Sequence, residues 1–331
     1  MDVRTALKTG IARLRDADVP SFTLAAELLL LHVLGRDRTW IYAHPEATVE
    51  SADADRFFAL IARRAVGEPT QHLTGKQEFW GLEFEVTPDV LIPRPETEHV
   101  VEVALDRLAQ REVRAGRPQK FDGAGLLVAD IGTGSGCIAV ALAKELPAAT
   151  FYAIDISRAA LGVACRNATR HGVADRIHFV EASVLERSGE WRVASGEQGP
   201  PDAAPHPTDS AAAPHEPDRS ADCRSPVFDL VVCNPPYVGR NEAATLPREV
   251  RDHEPAIALY GGEQGYELYV PLIAQAATHV KPGGILALEL GHASLSAVQP
   301  LLDSAHWINV GVTNDLAGIP RVIAAERSAD S

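Results

Sequence analysis

The chain has 331 residues, of which 46% are hydrophobic and 23% charged, which is typical of a globular protein with room for two domains. Its formal net charge of −14 provides no general phosphate-binding surface, so a protein or small-molecule partner is easier to explain than a nucleic acid. The four cysteines are widely spread and form no C-x-x-C pair, which argues against a zinc site or a disulfide framework and favours buried thiols in a reducing compartment.

The chain gives no sequence signal for export or membrane insertion. Residues 1–4 lack the pattern of a signal peptide. The most apolar run, residues 24–34, is interrupted by Glu27 and His32 and is shorter than the roughly 20 residues that a membrane span needs. We therefore expect a cytoplasmic monomer that does not bind membranes.

Residues 1–75 show the spacing of short α-helices. Three sets of apolar residues recur at helical intervals. They are Val3, Leu7, Ile11 and Leu14; Leu24, Leu28, Leu31 and Leu34; and, in a helix over 52–66, Phe57, Leu60 and Ile61. Pro20 separates the first two helices, Ser21 or Thr23 can cap the second, and Gly35 ends it. A bundle this small has no obvious catalytic pocket, so we assign it to substrate docking.

Residues 76–92 alternate around Gly81, which predicts a β-hairpin that links the bundle to a second domain at 93–331. In that domain short apolar strands alternate with helical segments. This alternation predicts an α/β fold, a parallel sheet with helices on both faces. The predicted strands are 126–131, 150–155, 177–180, 227–233 and 285–290, followed by a terminal hairpin at 307–313 and 321–325.

One segment of the second domain, residues 187–226, does not fit this alternation. It contains seven prolines and seven alanines but no Leu, Ile or Phe, so it cannot bury enough apolar surface to offset the entropy of ordering. We expect a disordered insertion, with a functional tether as the alternative. Because it ends just before the strand at 227–233, we expect that end to lie away from the ligand-binding edge of the sheet.

A glycine-rich turn follows the first predicted strand and precedes a helix. Its residues are Gly132, Thr133, Gly134, Ser135 and Gly136. Glycines let the backbone turn tightly and approach a ligand, and a helix start offers free N–H groups. Asp155 ends the next strand, where a carboxylate can bind two ribose hydroxyls. Together these features predict a cofactor that contains a nucleoside, without distinguishing nicotinamide or flavin cofactors from S-adenosylmethionine.

The turn after the strand at 227–233 decides between these cofactors. It consists of Asn234, Pro235, Pro236 and Tyr237. The prolines stiffen the turn, so the Asn234 side-chain oxygen and the Pro235 carbonyl become fixed acceptors for a substrate NH₂ group, on which Tyr237 can stack. A conjugated nitrogen is a poor nucleophile, and it needs alignment with an electrophilic methyl donor more than a strong base. The turn predicts methyl transfer from S-adenosylmethionine to a planar nitrogen, either an amide or an adenine amino group.

Together with these turns, further motifs resemble the HemK/PrmC family, the peptide chain release factor N5-glutamine methyltransferases. The resemblance covers nearly all of the chain except 187–226. The matching segments are 26–30, 32–38, 67–69, 73–75, 79–82, 92–98 and 254–259, with Gly261, Gly262 and Gly265. Residues 92–98 are the most family-specific stretch after the Asn-Pro-Pro-Tyr turn.

The resemblance implies an S-adenosylmethionine-dependent, Rossmann-like methyltransferase sheet with a small N-terminal helical bundle. The substrate it implies is the glutamine of a Gly-Gly-Gln loop in class 1 peptide chain release factors. By that likeness, the glycine turn and Asp155 hold the cofactor, and the turn from Asn234 to Tyr237 holds the glutamine amide. Asn234, Pro235 and Tyr237 are then the catalytic residues, with Asn234 also beside the cofactor, and the bundle helps dock the release factor.

Two parts of the implied cofactor site are less well defined. Family members often carry an acidic and then a bulky residue next to the adenine, and ungapped alignment places Ser183 and Val184 there. Ser183 can accept from the adenine amino group, or Glu181 can substitute. Arg94 and Glu98 either shape the wall near the cofactor or form a structural salt bridge.

Three other functions compete with this interpretation. A DNA adenine-N6 methyltransferase would use the same turn, but it needs a basic DNA surface or a target-recognition segment, which the sequence does not supply. A ribosomal-protein glutamine methyltransferase is a close relative, but residues 93–98 favour the release-factor branch. A non-catalytic binding module would not need both turns. We therefore predict an enzyme with a protein substrate, no DNA partner and no metal.

Overall fold

A computed structural model of the chain describes residues 1–116, 121–183, 227–302 and 305–329. The predicted insertion at 187–226, together with Val184 and Cys223, lies outside the described residues.

The N-terminal region forms a bundle of short α-helices. Their bounds are α1 Val3–Asp16, α2 Phe22–Leu34, α3 Arg38–Ala43, α4 Ser51–Ala65 and α5 Thr70–Thr74. Asp2 and Asp37 begin α1 and α3, because their carboxylates accept from backbone N–H groups one turn into each helix. The bundle has its own apolar core, whose largest fully buried side chains are Leu14, Leu29, Leu30, Phe57 and Ile61.

The predicted apolar face of α2 is wrong. Leu24 and Leu28 are 45% and 39% exposed, whereas Leu29 and Leu30 are fully buried. Because almost the whole helix is apolar, its sequence does not single out one face. The face that becomes buried is the one against which α1, α4 and α5 pack.

The predicted side-chain cap at the start of α2 is also wrong. Ser21 is the N-cap residue, but its backbone is left-handed (φ 51°) and its side chain makes no capping hydrogen bond. A capping side chain needs the extended backbone that Asp2 and Asp37 adopt. The other end of α2 follows the prediction, since Gly35 ends the helix with φ 60°.

The segment after the bundle contains an antiparallel hairpin of β1 Lys76–Phe79 and β2 Leu82–Glu85. Trp80 and Gly81 form its turn, both with positive φ. Phe79 and Phe84 are fully buried in the core beside the large sheet. The hairpin is therefore packed into the second domain as well as joining it to the bundle.

The second domain is built around a seven-stranded sheet. Its strands are β3 Leu127–Ile131, β4 Thr150–Asp155, β5 Ile177–Glu181, β6 Phe228–Cys233, β9 Val280–Glu289, β10 Trp307–Asn314 and β11 Pro320–Arg327. The spatial order is β10-β11-β9-β6-β3-β4-β5, in which the five strands from β9 to β5 are parallel to one another and β11 is antiparallel to both of its neighbours, β9 and β10. The strand predictions match this sheet, and the terminal hairpin is its antiparallel edge.

Helices cover both faces of the sheet, as predicted. Those of the second domain are α6 Glu98–Arg114, α7 Cys137–Glu145, α8 Arg158–Arg170, α9 Arg248–His253, α10 Ala256–Leu259, α11 Tyr269–His279 and α12 Leu295–Val298. Helices α6, α7 and α8 share one apolar core with the sheet, and α11 and α12 share the other. Outside the large sheet, β7 Val238–Gly239 pairs with β8 Tyr260–Gly262.

An ion pair joins the helical bundle to the second domain. Arg64 of α4 is almost fully buried and forms an ion pair with Glu249 of α9. Within the described ranges, no helix has the length and apolar character needed to cross a membrane. The same ranges contain no group of three or more His, Cys, Asp or Glu residues that could hold a metal ion.

Candidate active site

A cleft lies at the carboxyl edge of the sheet, where β3, β4, β5 and β6 end. Its walls include both turns singled out in the sequence and part of the segment between the hairpin and α6. The lining residues that bear on function are Arg94, Thr97, Gly132, Thr133, Gly134, Ser135, Asp155, Ser183, Asn234, Pro235 and Pro236. The structure thus brings most of the predicted site residues to one place, while their roles stay predictions.

The register of the parallel strands explains why these residues meet. Ile131 at the end of β3 pairs with Ile154 of β4 on one side and Cys233 of β6 on the other. Gly132, Asp155 and Asn234 each follow one of these paired residues, so all three emerge at the same edge. A Cβ atom placed on Gly132 would come within 3.9 Å of the Asn234 carbonyl oxygen, which shows how close the two turns lie.

The glycine turn is held largely by hydrogen bonds within the turn and to the neighbouring strand β4. The N–H groups of Gly132 and Thr133 both donate to the Ile154 carbonyl, at 2.8 and 3.0 Å, and Gly136 N–H donates to the Thr133 carbonyl at 2.8 Å. Gly132 and Gly134 have φ of 70° and 53°, a conformation that other residues rarely adopt. A Cβ on either would meet no atom closer than 3.9 Å, so the missing side chains leave an open cradle in the cleft.

The last glycine of the turn serves packing. Gly136 is not among the lining residues of the cleft in the part of the chain that the structure describes. A Cβ at this position would lie 3.0 Å from the Ala164 Cβ and 3.2 Å from its Cα. Gly136 therefore lets α7 approach α8 closely, whereas the sequence placed it among the residues that hold the cofactor.

Asp155 uses both carboxylate oxygens to fix the loops around it. Its Oδ2 accepts from Gly134 N–H at 2.9 Å, and its Oδ1 accepts from Ser157 N–H at 2.8 Å. Burial raises the pKa of this carboxyl above its ordinary value, and the backbone donors oppose that rise. Each oxygen keeps a second lone pair, so the carboxylate can still accept hydrogen bonds from a bound ligand.

Asp130 is a supporting residue that the sequence analysis did not include in the site. Its Oδ2 accepts from the Thr133 hydroxyl at 2.7 Å and from Ala139 N–H at 3.1 Å, which ties the turn to the first turn of α7. The residue is fully buried, and burial raises the pKa of its carboxyl to about 7. Its position at the end of β3, directly before the turn, was the signal available in the sequence.

The Asn-Pro-Pro-Tyr turn is held by segments that are remote in sequence. The chain leaves it through β7, which pairs with β8 so that Val238 lies opposite Tyr260. A Cβ at Gly261 would overlap the carbonyl oxygens of Pro236 and Gly265, so this glycine allows the two backbones to touch. The loop at 260–265 therefore packs directly against the turn.

Two side-chain hydrogen bonds also hold the Asn-Pro-Pro-Tyr turn. Asn234 Nδ2 donates to Thr97 Oγ1 at 3.0 Å, and the Tyr237 hydroxyl donates to Glu289 Oε1 at 3.1 Å. Glu289 ends β9 and is 1% exposed, and burial raises the pKa of its carboxyl to about 7. Tyr237 does not line the cleft among the described residues, and burial raises the pKa of its hydroxyl. Thr97 and Glu289 belong to the site although the sequence analysis did not select them.

The remaining predicted residues separate into different environments. Ser183 lines the cleft after β5, whereas Glu181 is exposed and does not line it. Arg94 lines the cleft and pairs with the buried Glu254, so its partner is not Glu98. Glu98 instead accepts from Trp80 N–H at 2.8 Å, and this bond fixes the turn of the β1–β2 hairpin.

Three of the cysteines lie in the described residues, and all three are free thiols. Cys137 and Cys233 are buried at the carboxyl edge of the sheet, and Cys165 is partly buried. Burial raises the pKa of the Cys137 thiol to about 12, so this thiol is not a nucleophile near neutral pH.

Two family models match the chain. The model of the PrmC N-terminal domain matches residues 5–75, a range that begins inside α1 and includes α2 to α5. The model of a methyltransferase domain matches residues 128–193. That range begins in β3 and includes both the glycine turn and Asp155.

Curated relatives match the chain over almost its full length. The release factor glutamine methyltransferase of Koribacter versatilis is 40% identical over 327 residues, which are 99% of each protein. The protein of the same name from Nitratidesulfovibrio vulgaris is 39% identical and covers 97% of this chain and 94% of the relative. That of Bradyrhizobium diazoefficiens is 37% identical, over 98% of this chain and 95% of the relative.

Proposed function

Because the chain belongs to the release factor glutamine methyltransferase family, we propose that it methylates class 1 peptide chain release factors. The methyl group passes from S-adenosylmethionine to the side-chain amide nitrogen (N5) of the glutamine in their Gly-Gly-Gln motif and thereby modulates translation termination. The observation that carries this proposal is the single cleft in which the glycine turn and the Asn-Pro-Pro-Tyr turn lie side by side.

The residues of the glycine turn fit the proposed cofactor. Gly132 and Gly134 leave an open cradle, and Asp155 retains lone pairs at the position where a ribose would bind. Ser135 lines the same cleft and is 2% exposed. Ser183 lines the same cleft after β5, and we propose that it accepts from the adenine amino group. When bound, the sulfonium of S-adenosylmethionine supplies an electrophilic methyl group.

The second turn fits a primary amide. Asn234 Oδ1 and the Pro235 carbonyl oxygen accept the two hydrogens of the glutamine NH₂ group, which holds the nitrogen beside the glycine turn. Acceptors on both hydrogens stabilise the positive charge that develops on nitrogen as it attacks. This alignment directs the amide nitrogen to the donor, so no strong base is needed before attack, and the nitrogen loses one of its two protons to solvent after the methyl group has been transferred. Tyr237, the last residue of this turn, is fixed by its hydrogen bond to Glu289.

The helical bundle is proposed to dock the release factor. Residues 1–75 then form the docking domain, 76–92 the hairpin linker and 93–331 the methyltransferase domain. The exposed Leu24 and Leu28 of α2 provide apolar area for such a contact. A release factor substrate also agrees with the predicted cytoplasmic location.

The proposal is tested by incubating the purified protein with labelled S-adenosylmethionine and a purified class 1 release factor. We expect label in the release factor, and mass spectrometry should place the methyl group on the Gly-Gly-Gln glutamine. A release factor with glutamate in place of that glutamine is the matched control and should remain unlabelled. Label in duplex DNA or in a ribosomal protein, with none in the release factor, would contradict the assignment.

A further inference from the structure

The starting observation is the hydrogen bond between the side chains of Asn234 and Thr97. Nδ2 of Asn234 donates to Oγ1 of Thr97 at 3.0 Å. Thr97 is 2% exposed and comes immediately before α6, in the segment that lines the cleft with Arg94. Asn234 also lines the cleft, and its amide places the oxygen on the side opposite to the nitrogen that Thr97 binds.

A threonine hydroxyl by itself does not select one orientation of an asparagine amide. It can accept from the amide nitrogen, or it can donate to the amide oxygen after the amide has turned over. The two orientations have opposite consequences, because only one of them presents an acceptor to a substrate NH₂ group. A further group must therefore decide where the single proton of Thr97 points.

Glu289 is the group that can fix the direction of the Thr97 O–H bond. Its carboxylate is buried at the end of β9, and the register of β9 with β6 pairs Leu288 with Cys233, next to Asn234. The Tyr237 hydroxyl donates to Oε1, while Oε2 has no partner with full hydrogen-bond geometry in the described part of the chain. Burial raises the pKa of this carboxyl and the Thr97 side chain lowers it, which is the effect of a hydroxyl that donates to the charged form. In its charged form this carboxylate can only accept, so it takes the Thr97 proton and leaves lone pairs of the hydroxyl for Asn234.

We propose that Thr97 and Glu289 are positioning residues that fix the amide of Asn234 with its oxygen toward the substrate. Glu289 orients the Thr97 hydroxyl, and the hydroxyl then accepts only the nitrogen side of the Asn234 amide. Tyr237 completes the arrangement by donating to the same carboxylate. This role rests on the proposed function, and it specifies how the enzyme recognises a nitrogen that carries two hydrogens.

The first test compares Thr97→Val with Thr97→Ser. Valine keeps the shape of the side chain but loses the hydroxyl, so kcat should fall about tenfold to a hundredfold, as expected for one positioning hydrogen bond. The Kd of S-adenosylmethionine should change less than about threefold, because the glycine turn is untouched. Serine should restore kcat to within about threefold of the wild type. Thr150→Val, at the amino end of β4, is the matched control and should leave kcat unchanged.

Two results would overturn the positioning role. One is a wild-type kcat for T97V, and the other is a T97S kcat as low as that of T97V, since that would show that the side chain acts by packing. The wild-type enzyme separates these results from failure of the proposed function. If the wild type does not methylate release factor at all, the function is wrong whatever the variants do.

Glu289→Gln gives a second test that does not depend on Thr97 variants folding. The new amide can donate to Thr97 as well as accept, so the Thr97 proton is no longer held in one direction. We expect kcat to fall about fivefold to tenfold with cofactor binding retained. Glu326→Gln is the matched control, because Glu326 is a buried, hydrogen-bonded glutamate of β11 that lies outside the cleft. A kcat for E289Q equal to that of the wild type would contradict the proposal.

Discussion

The two turns of the cleft are held in contrasting ways. The glycine turn is fixed by residues close in sequence, such as Asp130 and Thr133, and by the neighbouring strand β4 through Ile154 and Asp155. The Asn-Pro-Pro-Tyr turn is fixed by Thr97, Glu289 and the loop around Gly261, each of which is remote in the chain. The glycine turn therefore depends on nearby residues and one neighbouring strand, whereas the Asn-Pro-Pro-Tyr turn depends on contacts with several separate elements.

This difference indicates how each turn responds to change. A substitution in the glycine turn should affect cofactor binding and local stability together, because the same backbone does both. A substitution around the second turn should separate catalysis from cofactor binding, because Thr97, Glu289 and the loop around Gly261 support only this turn through the contacts described above. This difference between the two turns can be tested by substitution.

The largest effect is expected for Asn234→Ala. Loss of the side-chain acceptor should lower kcat at least about a thousandfold, as for the loss of a preorganised group at the reacting centre. Cofactor affinity, measured by calorimetry, should stay within about threefold, since the glycine turn is intact. Asn241→Ala is the matched control, because Asn241 is an exposed asparagine of the following loop. An equal loss of cofactor affinity and of kcat would place Asn234 in the cofactor site instead.

Asp130→Asn tests the support of the glycine turn through pH. Burial raises the pKa of Asp130 from 3.8 to about 7 in the folded protein, so the unfolded chain releases this proton more readily. The contribution of Asp130 to stability is therefore present at low pH and is lost as pH rises from about 4 to 7. The free energy of unfolding of the wild type should fall relative to Asp130→Asn by about 4 kcal/mol over that interval.

Urea unfolding of both proteins at several pH values measures this difference. Burial also raises the pKa of the Glu289 carboxyl, which supports the Asn-Pro-Pro-Tyr turn. The free energy of unfolding of the wild type should therefore also fall relative to Glu289→Gln as pH rises. A difference between wild type and Asp130→Asn that does not vary with pH would show that Asp130 titrates normally in the folded protein.

Gly261→Ala tests whether remote segments support the second turn. The added methyl group would overlap the carbonyl oxygens of Pro236 and Gly265, so the loop must shift and move the acceptors with it. We expect kcat/KM to fall about tenfold to a hundredfold, because small displacements of reacting groups are costly. Unfolding should become easier by about 1–3 kcal/mol.

Gly162→Ala is the matched control for this substitution. Gly162 lies in α8 with no atom closer than 3.6 Å to an added Cβ, so alanine should stabilise the helix by up to about 1 kcal/mol without loss of activity. If both alanine variants keep full activity, the loop at 260–265 does not position the second turn.

The smallest effect is expected for removal of residues 187–226. Strands β5 and β6 are separated by β4 and β3, so the connection must cross about 14 Å of sheet, and the chain must also return along the strands. A replacement of about eight Gly and Ser residues reaches about 28 Å and should suffice. We expect kcat within about twofold of the wild type, since the segment cannot bury an apolar core.

A variant in which residues 187–226 are shuffled keeps their composition and serves as the control. Methylation of release factor by all three proteins is then compared. If the replacement abolishes methylation while the shuffled chain retains it, the insertion is a tether whose composition matters, which is the alternative interpretation of this segment.

The sequence predicted the strands well and the packing faces less well. The strand at 150–155 has the predicted bounds, because β-branched and aromatic residues between turn signals are local information. The buried face of α2 was wrong, because its side chains are apolar all round and the neighbouring helices select the face. Gly136 was assigned to the cofactor, but the close approach of Ala164 depends on how α7 and α8 pack.

The residue types alone specify the chemistry of the two turns. Glycine permits positive φ, and proline restricts φ and removes a donor, so Gly132 to Gly136 and Asn234 to Tyr237 could be identified wherever they follow a strand. The orientation of the Asn234 amide, in contrast, depends on contacts that exist only in the folded protein. Its partner Thr97 lies 137 positions away, and Glu289 reaches the same point through the register of β9 with β6. Such contacts follow from strand order and register, which no local pattern of residues specifies.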